Sequence, residues 1–206
     1  MQSMIDLDRA LNDIRTMRSQ LARGAAFRGY GPATMALTGF LALAVAYVQA
    51  QLLPSVAGHV AAWVGLWVAT AVVSVGLIGF EMVRRARVVH GGLADEMIQA
   101  AALQLLPAAA AGGLLTLVLW QAAPTNLWML PGLWQIVLSL GVFAACSTLP
   151  ASMQLVAFWY LGSGLACLAF GSGVRAFSPW QMGAPFGVGD VLAAFLIFLA
   201  GRNENG

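Results

Sequence analysis

Long apolar stretches separated by short polar breaks dominate the chain, and their lengths predict membrane-crossing helices. Roughly 20 apolar residues cross a 30 Å hydrocarbon core. Six stretches approach that length: 32–53, 57–80, 97–121, 127–149, 151–170 and 185–201. Arg28-Gly29-Tyr30-Gly31-Pro32 breaks the chain before the first, and Pro54 ends it. Pro107 falls inside the third, where its missing N–H leaves the Leu103 carbonyl open and predicts a kink. Pro131 sits in the first turn of the fourth, a position that suits proline. Only a tight turn at Pro150 parts the fourth from the fifth, which predicts a close antiparallel hairpin. The sixth is the shortest. Val191 to Ala200 cannot cross alone at about 1.5 Å per residue. Started at Pro185 it just spans, and it then draws Asp190 into the bilayer. With Asp190 as an N-cap it would be a half-helix or re-entrant piece; the full span is the expectation.

A different pattern precedes the first span. Met4, Leu7, Leu11, Ile14 and Leu21 recur at steps of three and four, which predicts an amphipathic helix over Ser3 to Arg23. Asp6, Asp8 and Asp13 crowd its front and Arg15, Arg18 and Arg23 its back, as the helix dipole favours. These charges forbid a crossing. The helix lies in the headgroup plane, pairs with a copy of itself, or docks on a partner through Leu7, Leu11, Ile14 and Leu21. Arg18 interrupts the seam that a coiled coil needs. The chain thus divides into an interfacial helix, 1–29, and a six-helix transmembrane domain, 30–206. The fold class is all-α.

Composition agrees. Hydrophobic residues make up 60% of the chain and charged residues 9%, against roughly 25% charged in soluble domains. A globule in water could not wet so apolar a surface, so the first partner is the lipid bilayer. The net charge of +2 gives no reason to expect nucleic acid. The start of the chain carries acids and no apolar run, so it is not a secretory signal, and the first span would serve as anchor.

Every basic residue is arginine, and their placement predicts an orientation. Arg9, Arg15, Arg18, Arg23 and Arg28 precede the first span, and Arg84, Arg85 and Arg87 follow the second. The turns near Pro54 and Pro124 carry no charge. By the positive-inside rule the N-terminus and the central stretch Phe80 to Glu96 face the cytoplasm of an inner membrane. Six crossings return the C-terminus, with Arg202, to the same side, and only Arg175 lies outside. Trp63, Trp120, Trp128 and Trp180 then fall near the outer boundary, where an interfacial belt accounts for them.

Candidate chemistry is sparse. Asp190 is the one acid that a span forces below the membrane surface, and Arg175 on the same side is its expected partner. A carboxylate in a span is a functional candidate by default, at a cost of about 2.5–3.5 kcal/mol at the bilayer centre. Against that stands a helix-start acid in the headgroup zone, held by backbone amides. Gln104, Gln135 and Gln154 stand on three successive spans; they line a polar pathway or bond between helices. Ala61 with Gly65 and Ala108 with Gly112 have the spacing of close helix packing. Gln104 and Gln154 each precede a glycine by the same interval, and Gly-Leu-Trp recurs at Gly65 and Gly132, which hints at a repeat without a constant period. Cys146 and Cys167 fit no metal or redox spacing and are expected as free thiols. His59 and His90 fall on opposite faces. No catalytic, nucleotide or metal motif is present, so neither a metal nor a cofactor is expected.

The function expected from these features is a non-enzymatic scaffold, regulatory or assembly component that acts through residues 3–23, on a protein partner or a second copy of the chain. The alternative is a small transporter or channel for a neutral, hydrophobic or proton-coupled solute, built on Asp190.

Overall fold

The computed structural model describes residues 31–52, 59–89, 94–146 and 151–203. The amphipathic helix expected over 3–23 and the turns expected at Pro54 and Pro150 lie outside the described residues. Within them every regular element is helical. The six α-helices are α1 (Pro32–Leu52), α2 (Val60–Val89), α3 (Ala94–Ala122), α4 (Leu130–Ala145), α5 (Gln154–Phe170) and α6 (Trp180–Asn203). Short 3-10 turns at Pro124–Met129, Ala151–Met153 and Gly173–Arg175 lead into or follow them. Five stretches are long and apolar enough to cross a membrane, and the 17-residue α5 is a shorter sixth. The architecture is that of a multi-pass membrane bundle. Helices are the form open chains take in lipid, because each satisfies its own backbone hydrogen bonds.

Two boundaries depart from the sequence pattern, for identifiable reasons. The charged stretch after residue 80 is largely helix, since α2 continues through Glu81, Arg84, Arg85 and Arg87. Glu81 accepts hydrogen bonds from Arg84 at 2.9 Å and from Arg85, so the charges pair along one helical face. No glycine or proline interrupts the run before Gly91. The last helix begins at Trp180, so Pro185 lies inside it instead of at its first turn. Pro107 likewise lies within α3, which continues through it.

Each helix packs on the one that follows, and α6 returns to pack on α1, which closes the bundle into a ring. Neighbours run antiparallel. Gln49 meets Trp67 across α1 and α2, Phe143 meets Phe158 across α4 and α5, and Trp159 meets Pro185 across α5 and α6. The most extensive contact joins α1 to α6, and absent side chains make it possible. A Cβ at Gly39 would lie 3.0 Å from the Gly187 carbonyl oxygen, and one at Gly187 would lie 2.5 Å from Leu43. Gly183 rests directly on Ala46. This is small-residue packing, the main means by which helices associate where lipid tails are as apolar as side chains. The same device joins α4 to α5, where Gly132 and Gly164 each face the other's carbonyl oxygen, at 2.7 and 2.8 Å from the Cβ positions.

Of the spaced small pairs in the sequence, Ala108 and Gly112 pack on α4, against Gly141 and Trp134. Ala61 and Gly65 point out of the bundle, and Gly65 faces open space. Gly65 and Gly132 therefore share a Gly-Leu-Trp motif but not an environment.

The core at one end of the ring is aromatic. Trp63 is fully buried and stacks on Trp134 with 6.3 Å between ring centroids and 15° between planes. Trp67 and Phe177 pack on its other sides, at 6.2 and 5.5 Å. Trp63 thus belongs to the core, not to an interfacial belt; Trp120 and Trp180 remain exposed. Phe177 holds its place with φ at 59°, in the left-handed region where a bulky residue is strained.

Candidate functional site

Asp190 stands ten residues into the 24-residue α6, about 15 Å from the helix start. The helix-start and half-helix readings of this residue both fail, because α6 is continuous from Trp180. Its carboxyl is gripped from two other helices. Tyr160 of α5 donates its phenol hydrogen to Oδ1 at 2.7 Å, and the Thr38 hydroxyl of α1 lies 3.0 Å from Oδ2. Tyr160 is 2% exposed and Thr38 1%, so both partners are withdrawn from the surroundings. Thr38 also stands 2.8 Å from the Met35 carbonyl oxygen, one turn back in α1.

Glycine shapes this clasp. A Cβ at Gly189 would lie 2.5 Å from Tyr160 Cζ, so only a bare backbone lets the phenol ring lie across α6. Gly39, next to Thr38, would strike the Asp190 Cβ at 3.1 Å. Phe186 closes the other side of the Tyr160 ring at 5.3 Å.

Arg175 is not the partner of Asp190. It lies exposed in the turn before α6, where its carbonyl oxygen accepts a hydrogen bond from Gln181 Nε2 at 2.8 Å. Among the described residues the ion pairs are those of Glu81 with Arg84 and Arg85. The three glutamines do not line one path. Gln154 is exposed at the first turn of α5, Gln104 is half-buried on α3, and Gln135 is buried near the start of α4, at the opposite end of the antiparallel α4–α5 pair from Gln154.

Gln135 has a specific task. Pro185 has no N–H, so the Gln181 carbonyl one turn earlier has no partner within α6. Gln135 Nε2 donates to that oxygen at 2.7 Å, and the Cys167 thiol donates to it at 3.6 Å. Neighbouring helices commonly cover a carbonyl freed by proline in a membrane bundle. Replacing Gln135 with leucine should therefore lower stability by about 1 kcal/mol, the net worth of the lost bond, since the weak Cys167 donor still reaches that oxygen. The same replacement in a Pro185→Ala background should be nearly neutral, because the alanine N–H restores the helical bond. Thermal midpoints of the two single variants and the double variant check this; equal losses in both backgrounds would refute it.

Other buried polar groups are less fully met. Trp67 Nε1 donates to Gln49 Oε1 at 3.0 Å, but Gln49 Nε2, Trp63 Nε1, Gln135 Oε1 and Gln181 Oε1 have no hydrogen-bond partner among the described residues. Among those residues no three His, Cys, Asp or Glu side chains come together as a metal site. Cys146 and Cys167 are free thiols.

Sequence reasoning finds Asp190 but misses Tyr160 and Thr38. Both are visible as hydroxyls inside apolar spans, which is a weak signal for a polar partner within the bundle. Comparison with protein families, with curated proteins and with solved structures finds no match to this chain.

Proposed function

We propose that the chain is a non-enzymatic scaffold or regulatory component of a bacterial-type inner membrane, which engages a protein partner through residues 3–23. The bundle is then its anchor, with both termini on the cytoplasmic side. The observation that carries this reading is the α1–α6 seam. Gly39, Gly183 and Gly187 bring two backbones together over several turns, and the half-buried Asp190 ties that seam to α5. A bundle closed on itself in this way suits a fixed platform better than alternating access, which needs one part to rock against another. The arginines flanking the first two spans support the orientation.

A second reading, transport of a neutral or proton-coupled solute, draws on Asp190 itself, since acids at mid-membrane often serve as relays. One experiment separates the two. Protein extracted in mild detergent is compared with a form lacking residues 1–23 by native mass, and both are assayed for counter-flow and pH-jump signals in vesicles. The scaffold reading expects a larger assembly that shrinks on deletion, with no solute-dependent signal. A signal that survives the deletion and disappears in Asp190→Asn would overturn it in favour of transport.

A further inference from the structure

We propose that Asp190 is a proton-binding site, its carboxyl carrying a hydrogen that it donates through Oδ2 to the Thr38 hydroxyl. The inference rests on counting hydrogens, and it holds whether the bundle serves a partner or a solute. A threonine hydroxyl has one hydrogen to donate and two lone pairs with which to accept. Thr38 Oγ1 stands within reach of two acceptors, the Met35 carbonyl at 2.8 Å and Asp190 Oδ2 at 3.0 Å. With an ionised Asp190 one of those contacts lacks a hydrogen. With a carboxylic acid every contact is filled. Tyr160 donates to Oδ1, Oδ2–H donates to Thr38, and Thr38 donates to Met35. The chain of bonds then runs from α5 through α6 to α1, and each link polarises the next.

The surroundings offer an ionised carboxylate nothing else. From α1 the facing groups are Thr38 and Gly39, and from α5 the titratable group that meets Asp190 is the neutral Tyr160; the Cys167 thiol of the same helix meets α6 at Gln181, nine residues earlier. The α4 helix and the Ala151–Met153 turn also touch α6, and neither carries a charged residue. The Glu81, Arg84 and Arg85 cluster packs against Gly31, about 10 Å along α1 from Thr38. Arg202 lies over the Phe198 ring near the far end of α6. Asp190 is itself half-buried, and a carboxylate withdrawn that far with no counter-ion beside it is costly for a bundle to hold. Binding a proton removes that charge and completes the clasp in one step.

The test uses the full-length protein in lipid vesicles at neutral pH. The infrared difference between wild type and Asp190→Asn should show the C=O band of a protonated carboxylic acid, and that band should shift in Tyr160→Phe and in Thr38→Val. Asparagine can accept from Tyr160 and donate to Thr38, so this variant should assemble as well as wild type does. Should it fail to assemble, the wild-type spectrum is compared with Tyr160→Phe and Thr38→Val alone, and the band must still move in both. A second readout is stability against pH. The bundle holds a proton that the unfolded carboxyl releases above about pH 4, so its stability falls as pH rises. Relative to Asp190→Asn, the wild-type folding equilibrium should lose about tenfold per pH unit between pH 5 and 7. A carboxylate signature at Asp190 at neutral pH, a band that neither hydroxyl variant moves, or parallel stability profiles for wild type and Asn would each overturn the proposal.

Discussion

Gly183→Ala should loosen the bundle by on the order of 2–3 kcal/mol, an overpacking cost, although alanine is the better helix former by about 1 kcal/mol. The methyl group has nowhere to go. Its carbon would fall inside the contact distance of the Ala46 Cβ and 3.2 Å from the Ala42 carbonyl oxygen. Neither neighbour is the free end of a flexible chain, so relief requires α1 as a whole to move away from α6. That movement reaches the clasp two turns along, where Thr38 and Asp190 stand 3.0 Å apart. The offending atom is a single methyl, which makes the effect reversible by design. Ala46→Gly in the same chain should recover most of the loss, a non-additivity expected only of residues in direct contact. Unfolding midpoints of the two single variants and the double variant measure it. If the double variant is as unstable as the sum of the singles, the seam is not what holds these helices.

The helices were legible because run length and hydropathy depend on local sequence alone, so most α-helices fall close to the apolar stretches that predict them. What sets two helices side by side is not local. Gly183 and Gly187 carry the spacing of a packing motif, but a span begun at Pro185 leaves Gly183 outside it, and the seam disappears from view. The same choice of first residue moves Asp190 from mid-helix to helix start and makes Arg175 its natural partner. Tyr160 and Thr38 show the limit from the other side. A lone hydroxyl in an apolar helix has no periodicity, and only the ring closure from α6 to α1 brings both to one carboxyl. The three glutamines illustrate residue type misleading about place. They alternate ends because their helices alternate direction, and Gln135 answers to a proline on another helix, not to its sequence relatives.

Trp63→Ala should be the most damaging single truncation in the aromatic core, and Trp63→Phe should be close to harmless. Depth from the helix end suggests a belt residue, but rotation about the helix decides which way a ring points. Trp63 and Trp67 lie one turn apart on a shared face, and that face turns inward. Trp63 touches aromatic rings from α2, α4 and the turn before α6, so removing it strips contacts from three elements at once. Truncation of a buried tryptophan costs about 3–5 kcal/mol in cores of soluble proteins. The lower end applies here, because lipid tails are as apolar as the core and the loss is one of packing. Phe177 would also lose the ring that holds its strained backbone, so the loop into α6 should loosen first. Phenylalanine keeps an inward-facing ring and removes the Trp63 N–H, a buried donor with no partner among the described residues. The gain from losing that donor, about 1–3 kcal/mol, offsets most of the lost ring area. Thermal midpoints in detergent, with limited proteolysis at the α5–α6 loop, give the comparison. A large loss in Trp63→Phe would mean that the indole hydrogen is used, and the core would then be organised around that bond rather than around stacked rings.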